Sequence, residues 1–590
     1  TSNKNNRRRT KPQLLTNKKI QNMKLRYFKL ITVFAGVMAF GSCKKMFDIN
    51  KDPDRLPDSN APLEQLLTSA QVNLGFEGGS DMFRYTTLIM QQMSGMASSP
   101  NQTFEYYRYN ITGSDQNNVW SSMNATTLND LELIIKQGGA SPYYTGVAKL
   151  LKAYEYAQMV DIWGKIPYTE AQQLTGNMQP HYDDDAAIYT NLFVLINSAI
   201  TDLNATSSVL TPGANSVIYT NGGNFTNAKA QWIKFANTLK LRLYLHYSKK
   251  DPAFSNAQLT ALINSGAAFF ASNADNFSMA FYDVANQRSP ISAFEVSRPN
   301  YLFCDAQMLG MMNAKNDPRR PYYFTSFPYQ GIPLPATVNT SAATAAGNVL
   351  TFASTAGITT NMVIVGTNIP ANTVSTAVTA TTVTLSNNVT GAGVAAGAAI
   401  ITAPNQFTGV SATAPPPAPN NNYSRIHTFL RGNVTAGTAP PFTYSGTAPQ
   451  RMLTFAEYNF IRAEAALRGA PGSAQAFFTA GITASLQEVG VSAQQITEYL
   501  AANGTLSGST AQQIQQVIEE KYIALFGVST EPWTDWRRTG FPALNIPANA
   551  INGTGGVPRT LFYPQSEIDL NPNNPGQKST SLQDKVFWDN

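Results

Sequence analysis

The side chains best suited to acid–base, nucleophilic or metal chemistry are few in this sequence and lie far apart. The three histidines are His181, His246 and His427, and the two cysteines are Cys43 and Cys304. The short motifs of serine nucleophiles, zinc proteases, paired redox cysteines and phosphate-binding loops do not occur. A pair of acid–base carboxylates leaves no signature that can be recognised without geometry. We therefore predict no catalytic residue, no metal site and no cofactor.

One cluster of polar residues imitates a metal-binding loop. Asp48, Asn50 and Asp52 have the spacing with which a calcium loop begins. However, Pro53 stands where such a loop needs glycine, and Ser59 stands where it needs a bidentate glutamate. The segment therefore predicts a polar tether rather than a metal site.

The composition is that of a globular protein with an unusually neutral surface. The sequence has 590 residues, of which 43% are hydrophobic and 13% are charged. This charged share is about half the average, and the length predicts at least two structural regions. Residues 1–42 hold ten of the 42 basic residues and none of the 36 acidic ones, which leaves 32 basic residues from Cys43 onward. Because no basic cluster remains there, we predict no nucleic-acid partner.

The basic start of the chain has the pattern of an export signal. From Met23 a short basic stretch leads into the apolar run 30–40, whose 11 residues are too few to span a bilayer. Residues 41–43 then read Gly-Ser-Cys, which resembles the lipobox of a lipoprotein. Residues 1–22 have the character of an over-extended gene start.

We therefore predict a lipid-anchored protein. Residues 1–42 would be the over-extended start plus a lipoprotein signal peptide, Cys43 the acylated residue, and 43–60 a lipidated tether. The alternative is an ordinary signal peptide with a chance cysteine. If Cys43 is acylated, Cys304 has no disulfide partner, and its apolar neighbours predict a small buried hydrophobic residue.

Helical periodicity dominates residues 61–335 and returns within residues 419–590. We expect an aromatic loop at Thr103–Tyr109 and an irregular tail from Trp533 onward. The short connections between helices predict packed helical hairpins. The predicted helices are Pro62–Leu74, Asp81–Met96, Trp120–Ile135, Pro142–Trp163, Asp185–Leu203, Lys229–Tyr247, Pro290–Met312, Met452–Gly469, Ser473–Gly490 and Gln512–Phe526.

Residues 336–418 differ from the rest of the chain in composition. They contain almost no charge and are dense in Ala, Thr, Val, Gly and Asn. Runs of β-branched residues at Val363–Pro370 and Thr381–Ser386 are separated by turn residues, and Pro415–Pro419 form a stiff linker. We predict an inserted small β-rich module; a long disordered loop is the alternative.

Six stretches of the chain carry further motifs. They are Ala148–Ala171, which contains Asp-Ile-Trp-Gly-Lys-Ile-Pro-Tyr, then Trp232–Arg242, Asp317–Arg319, Tyr458–Gly469, Glu520–Pro542 and Arg559–Asn571. In this order, and together with the lipobox, they resemble the SusD/RagB family of surface lipoproteins, particularly its SusD-like branch. The resemblance covers nearly the whole chain after Cys43 except residues 336–418, which the family pattern does not require.

The resemblance implies a mainly α fold, built on tetratricopeptide-like helical hairpins with irregular loops, that carries the inserted β-rich domain. It also implies a lipid-anchored protein of the outer membrane that faces the cell exterior. The implied function is to capture a nutrient, usually a glycan, and to deliver it as a lid to a SusC-like TonB-dependent transporter. It implies neither an enzymatic activity nor a cofactor.

Most residues of the matching stretches have a structural interpretation. Gly164 can end the preceding helix in a left-handed conformation, and Pro167 prevents the helix from continuing. Glu464 lies among Ala and Leu residues on a predicted helix, so it needs a buried partner. Arg537 or Arg538 is suited to this role because a guanidinium group can pair with both carboxylate oxygens.

Helices that carry the core bury their aromatic residues, so we expect sugar-stacking residues in loops. The first candidate is the segment 101–109 followed by Trp120, which combines aromatic rings with amide and guanidinium donors. A second region, Phe281 and Tyr282 with Asn286 and Arg288, has the same chemistry. For Tyr107, Tyr109 and Trp120 the alternative is that they pack the helix ends. The predicted ligand-binding residues are Asn101, Tyr106, Tyr107, Arg108, Tyr109, Trp120, Tyr282 and Arg288.

Two other functions remain open from the sequence. A surface adhesin or matrix-binding lipoprotein would use the insert at 336–418. An anchored glycan hydrolase would need a pair of catalytic carboxylates that the sequence does not reveal. Both fit the motifs less well than binding linked to transport.

Overall fold

The computed structural model describes residues 61–95, 101–326, 336–360, 362–370, 373–404, 407–413, 423–437, 441–551 and 555–590. Cys43, the export signal, the tether and the linker at 415–419 lie outside these residues. The acylation of Cys43 therefore stays a prediction. Residues Pro62–Asn590 form a single compact unit.

The chain up to residue 323 folds mainly into helices whose first residues satisfy the free N–H groups of the opening turn. The side-chain oxygens of Asn101, Asp184 and Asn224, for example, accept hydrogen bonds from the backbone N–H groups two residues later. A π-helical turn at Ser122–Leu128 joins two of these helices. The helices are α1 (Leu63–Gly79), α2 (Asp81–Ile89), α3 (Gln102–Tyr107), α4 (Gly113–Ser121), α5 (Asn129–Gln137), α6 (Pro142–Trp163), α7 (Asp185–Leu203), α8 (Phe225–His246), α9 (Pro252–Asn264), α10 (Pro290–Ser297), α11 (Ala306–Ala314) and α12 (Arg320–Tyr323).

Helices also dominate the C-terminal part. In this part α14 (Phe455–Leu467) packs along α15 (Ala474–Val489), just as α6 packs along α7 and α8 packs on α9 in the first part. These pairs, adjacent in sequence, are the predicted helical hairpins, and the mainly α fold is confirmed. The helices are α13 (Thr428–Arg431), α14 (Phe455–Leu467), α15 (Ala474–Val489), α16 (Ala493–Asn503), α17 (Thr510–Ala524), α18 (Glu531–Thr539) and α19 (Gln565–Leu570).

Short antiparallel strands connect distant parts of the helical body. β1 (Met93–Gly95) pairs with β3 (Leu302–Cys304), and β2 (Phe277–Met279) pairs with β12 (Gln450–Leu453). Cys304 is buried and free, as predicted. The first pairing brings the residues before α3 close to those after α10, and the second brings β2 close to the residues before residue 455.

The insert contains two three-stranded antiparallel sheets with an apolar cluster of their own. Leu350, Ile364 and Val383 belong to this cluster, whereas the neighbouring Val349 and Val365 are exposed, which is the alternation expected of strands with one buried face. Outside the insert, a small hairpin of β10 (Val434–Ala436) and β11 (Thr443–Tyr444) precedes β12. The sheet orders are β4-β9-β6 and β5-β8-β7, formed by β4 (Ala336–Asn339), β5 (Val349–Thr351), β6 (Met362–Val365), β7 (Ser375–Val378), β8 (Thr382–Leu385) and β9 (Ala399–Pro404).

The predicted helix Pro290–Met312 is wrong, because the chain breaks there into α10, β3 and α11. The residue before Pro299 disfavours the helical conformation, and Asn300 has a positive φ of 66°. The predicted helix Asp81–Met96 likewise ends early, because Met93–Gly95 pair with β3 instead.

Three other predictions also need correction. Thr103–Tyr109 is not wholly a loop, since most of it forms α3 with Asn101 as its cap. The chain after Trp533 is not irregular throughout, since it continues α18 to Thr539. The predicted helix Trp120–Ile135 is interrupted by the π-helical turn.

Buried ion pairs hold the C-terminal helices to the rest of the body. Arg538 on α18 pairs with both oxygens of Glu464 on α14 at 2.5 Å, which confirms one of the two predicted partners. Burial raises the pKa of Glu464, but the guanidinium groups of Arg538 and Arg468 outweigh it and hold this pKa at about 2. Arg537 instead donates to the backbone carbonyl oxygens of Asp161 and Arg559.

Candidate ligand-binding site

The structure buries the aromatic residues of the first predicted site. The exposed fractions of Tyr106, Tyr107, Tyr109 and Trp120 are 1%, 0%, 2% and 5%. A ring without an exposed face cannot stack on a sugar in this conformation. The packing alternative is therefore the correct interpretation of Tyr107, Tyr109 and Trp120, and Tyr106 is buried as well.

Partners from remote parts of the sequence explain this burial. The Tyr107 hydroxyl donates to Oδ2 of Asp305 at 2.7 Å. The indole N–H of Trp120 donates to Oε1 of Glu567 at 3.2 Å, and its ring packs edge to face on Trp163. These contacts give the buried polar atoms their hydrogen-bond partners.

The remaining residues of the first site have structural partners as well. Asn101 is buried, and its side-chain oxygen caps α3 by accepting the N–H of Thr103 at 2.9 Å. Arg108 is half-buried and donates to Glu105 at 3.1 Å, with its guanidinium 5.3 Å from the Phe104 ring centre. Arg108 is therefore the one predicted side chain of this group that reaches solvent.

The second predicted region lies open to solvent. Tyr282 is 54% exposed and is the one exposed aromatic side chain in the part of the chain that the structure describes. The backbone N–H of Tyr282 donates to the backbone carbonyl oxygen of Gln287 at 2.9 Å. The backbone N–H of Gln287 donates to the backbone carbonyl oxygen of Val284 at 3.0 Å. Asn286 supports the tight turn with a positive φ of 63°, a conformation that asparagine tolerates.

The far end of this loop is fixed to the body. Arg288 pairs with Asp283 at 2.5 Å across the loop, and both side chains are exposed. The stem of Arg288 covers Gly446, where a Cβ atom would lie 2.7 Å from the Arg288 side chain. The N–H of Ser289 donates to the carbonyl oxygen of Gly446 at 2.8 Å. The loop is thus held at its base while the Tyr282 ring stays free.

Aromatic rings and guanidinium groups continue along α10. The Phe294 ring lies between Arg84 and Arg298, whose guanidinium carbons are 4.7 Å and 5.4 Å from its centre. Tyr301 packs edge to face on Phe294 with ring centres 6.0 Å apart. We call the exposed and half-exposed side chains of residues 282–301 the Tyr282 face.

The residues beside the Tyr282 face add further amide and guanidinium groups. The guanidinium group of Arg425 lies 3.9 Å from the Phe303 ring centre and donates to the side-chain oxygen of Asn300 at 3.3 Å. The Thr103 hydroxyl donates to the carbonyl oxygen of Tyr301 at 2.6 Å. The first predicted region therefore supports the far end of the Tyr282 face at Tyr301.

The sequence predicts Tyr282 and Arg288, which the structure leaves exposed, but it does not point to Phe294, which is buried beside the face, or to Arg298 and Tyr301. The erroneous single helix over Pro290–Met312 assigned these three residues to a helix face. The available signal was Pro299, which predicts a chain break between Arg298 and Tyr301. A break at that point would have indicated a second aromatic loop.

The Tyr282 face has the chemistry of a binding surface rather than of a catalytic centre. An exposed aromatic ring can stack on the apolar face of a sugar, while amide and guanidinium groups donate hydrogen bonds to its hydroxyl groups. The acidic side chain of its exposed loop, Asp283, is engaged with Arg288. Across the residues that the structure describes, no group of three or more His, Cys, Asp or Glu residues is placed to hold a metal ion.

Comparison with known families identifies the class of the protein. The sequence model of the SusD-like family, described as starch-binding and associating with the outer membrane, matches residues 54–366 and 379–564. The chain therefore belongs to the SusD/RagB family. The match extends into the insert from both sides and leaves out residues 367–378. None of the curated proteins compared with the chain matches it.

Solved structures share the fold over most of the chain. A chitin-binding protein is 22% identical with a TM-score of 0.62, over 90% of this chain and 100% of that protein. A chitin-binding SusD homolog from Flavobacterium johnsoniae is 18% identical with a TM-score of 0.62, over 89% and 98%. A SusD homolog from Bacteroides fragilis is 21% identical with a TM-score of 0.61, over 86% and 94%. At these identities the likeness concerns the fold.

Proposed function

We propose that the protein binds a glycan at the Tyr282 face and delivers it to a SusC-like TonB-dependent transporter, which it covers as a lid. It would be anchored to the outer membrane through Cys43 and face the cell exterior. The observation that carries the binding site is the exposed ring of Tyr282 beside arginine and amide groups. Family membership supports the glycan as ligand class.

The charges of the exposed loop favour a neutral sugar chain over a strongly charged ligand. Arg288 and Asp283 neutralise each other, and both can still exchange hydrogen bonds with sugar hydroxyl groups because they are exposed. Arg298 is exposed at the end of α10 and supplies further donors. Starch and chitin, the two glycans that occur in the descriptions of the family and of its solved members, are neutral polymers.

Calorimetric titration with starch and chitin oligosaccharides tests the proposed site. The matched pair is Tyr282→Ala and Met178→Ala, which both truncate an exposed large side chain, the second one away from the face. We expect Tyr282→Ala to weaken binding and Met178→Ala to leave it unchanged. Equal affinity of both variants would place the site elsewhere. Release of shorter products from the same oligosaccharides would contradict the proposal of a binding protein without enzymatic activity.

The proposed partner is tested in native membranes. A lid must bury a large area, and stable complexes bury at least about 1,000 Å² in total. We expect the protein to co-purify with a SusC-like barrel in mild detergent. Recovery of the protein alone, without crosslinks to any barrel, would argue strongly against the partner.

The proposed anchor is tested with Cys43→Ala. Stable attachment through lipid needs more than one acyl chain, so we expect a diacylated or triacylated cysteine in the wild type. The variant should be exported but released from the membrane. Continued membrane attachment of an exported variant would exclude acylation of Cys43 as the anchor.

A surface adhesin that uses the insert is the second candidate. The insert has an apolar cluster of its own and exposes Val349 and Val365. A variant that lacks residues 336–418 distinguishes matrix binding through the insert from glycan binding at the Tyr282 face. Loss of matrix binding with oligosaccharide affinity intact would favour the adhesin for this region.

A further inference from the structure

Two carboxyl groups that have no basic partner among the described residues lie buried in the helical core. Glu77 is in the last turn of α1 and Glu155 is in the middle of α6, and both are buried. Burial of a charge without a partner is strongly unfavourable. The pair therefore needs an explanation other than an ion pair.

The hydrogen bonds of the pair point to a proton between the two groups. Oε1 of Glu77 accepts from the hydroxyl groups of Ser122 at 2.6 Å and Thr127 at 2.9 Å. Oε2 of Glu155 accepts from the side-chain amide of Gln158 at 3.2 Å. The other two oxygens, Oε2 of Glu77 and Oε1 of Glu155, are buried and have no donor among the described residues. One proton shared by the two carboxyl groups gives both of these oxygens a partner.

We propose that Glu77 and Glu155 share one proton at neutral pH and that this proton holds the last turn of α1 in the position that supports the Tyr282 loop. Glu77 carries the negative charge because two hydroxyl groups donate to it, and Glu155 keeps the proton. The pair consists of positioning residues that touch no ligand. Only the link to binding rests on the proposed function.

The electrostatic environment agrees with one charge for the two groups. Burial raises the pKa of Glu77 and of Glu155, and the charge of Glu77 raises the pKa of Glu155 further. Tyr154 on α6 also interacts with Glu155, and burial raises the pKa of this tyrosine, so it stays neutral. Charged side chains on the surrounding elements have other partners: Arg84 with Asp81, Lys149 with Asp202, Lys152 with Glu132, and Arg451 with Glu488.

The last turn of α1 connects the pair to the face. Phe76, next to Glu77, packs edge to face on Phe281 with ring centres 5.4 Å apart. Gly79 lies against Pro290, the first residue of α10, so closely that a Cβ atom would come within 2.6 Å of its ring. A shift of this turn therefore moves both ends of the segment that contains Tyr282.

Stability against pH tests the shared proton without any ligand. A carboxyl group with a raised pKa in the folded protein stabilises it at low pH, and this contribution is lost as the pH rises. In Glu155→Gln the side-chain amide donates permanently to Glu77, so the loss of stability with rising pH should disappear. We expect the melting temperature of the wild type to fall more steeply than that of Glu155→Gln as the pH rises from about 4, the pKa of an unfolded glutamate, toward the raised pKa of the pair, by about 1 °C per pH unit for a chain of this size.

Hydrogen exchange of residues 281–290 tests the link to the face. After correction for intrinsic rates, wild-type protection should fall by up to about tenfold per pH unit over the range in which the folded protein still holds the proton and the opened segment has released it, and Glu155→Gln should keep its protection. The control Glu498→Gln, at an exposed position on α16, should follow the wild type. Parallel profiles of wild type and Glu155→Gln in both measurements would overturn the proposal.

A second variant covers the case in which Glu155→Gln does not fold. Glu77→Gln removes the charge that raises the pKa of Glu155 further and offers an amide donor to Glu155, so the fall in melting temperature with rising pH should become shallower than in the wild type. Neither measurement uses a glycan. A failure here therefore leaves the proposed function standing, and a failure to bind oligosaccharides leaves the shared proton standing.

Discussion

The two aromatic segments of this protein that could bind a sugar, residues 101–120 and residues 282–288, have opposite environments. The rings of Tyr107 and Trp120 in the first segment are buried, whereas the ring of Tyr282 in the second is exposed. Both segments combine tyrosine with asparagine and arginine, so their composition does not distinguish them.

The difference lies in where the polar partners come from. Tyr107 donates to Asp305 and Trp120 donates to Glu567, which are remote in sequence and are brought there by the fold. The hydrogen bonds of Tyr282 and the ion pair of Arg288 with Asp283 stay within the loop. Tyr107 and Trp120, which receive partners from remote segments, are therefore part of the core, whereas the Tyr282 ring stays exposed.

The largest expected effect breaks the buried segment. Trp120→Ala should lower the free energy of unfolding by roughly 3–5 kcal/mol, because it leaves a cavity beside Trp163 and removes the indole donor of Glu567 Oε1. Urea denaturation measures this loss. Affinity for oligosaccharides should stay unchanged; a loss of affinity at unchanged stability would return the site to residues 101–120.

The next effect depends on pH through Asp305, which accepts from Tyr107. Burial raises the pKa of Asp305 to about 7. A raised pKa stabilises the fold at low pH, and this contribution is lost as the pH rises from about 4 through about 7. Each pH unit of the shift corresponds to about 1.4 kcal/mol. Asp305→Asn should therefore flatten the fall in unfolding free energy across this range, and an unchanged slope would contradict the raised pKa.

A smaller effect isolates a single hydrogen bond. Tyr107→Phe keeps the ring but leaves Oδ2 of Asp305 without its donor, which should cost roughly 1–3 kcal/mol of unfolding free energy. The double variant Tyr107→Phe/Asp305→Asn should show that the two losses are not additive. Additive losses would mean that the two side chains act independently.

The smallest effect on stability is expected in the exposed loop. Tyr282→Ala should cost on the order of 1 kcal/mol of binding free energy through lost stacking. Its unfolding free energy should stay within about 0.5 kcal/mol of the wild type, because an exposed ring supports no core. A clear drop in the melting temperature would show that Tyr282 belongs to the core, which would remove the contrast between the two segments.

Much of the fold was predictable because its longest helices carry their pattern locally. Helices α6 and α7 begin and end where their apolar spacing and flanking residues predict. The helix predicted over Pro290–Met312 failed because the residues 302–304 find a strand partner in Met93–Gly95, about 200 residues away in sequence. Pairing of this kind overrides local helix propensity.

The candidate site was predictable only in part. Tyr282 and Arg288 follow from the combination of aromatic, amide and guanidinium groups in their segment, and the structure leaves both side chains exposed; their role in binding stays a prediction. Arg298 and Tyr301 do not follow from the apolar spacing, because that spacing continues on both sides of Pro299 while the helix ends before it.

The sequence by itself determined the family, the mainly α architecture, the β-rich insert and the need of Glu464 for a buried cation. These properties follow from local patterns and from side-chain chemistry that does not depend on where the chain goes. Only the tertiary structure decided that Arg538 is this cation, that Tyr107 is core and Tyr282 is surface, and that Glu77 meets Glu155. Burial and pairing depend on groups supplied by distant segments, and the distances between those segments exist only once the chain has folded.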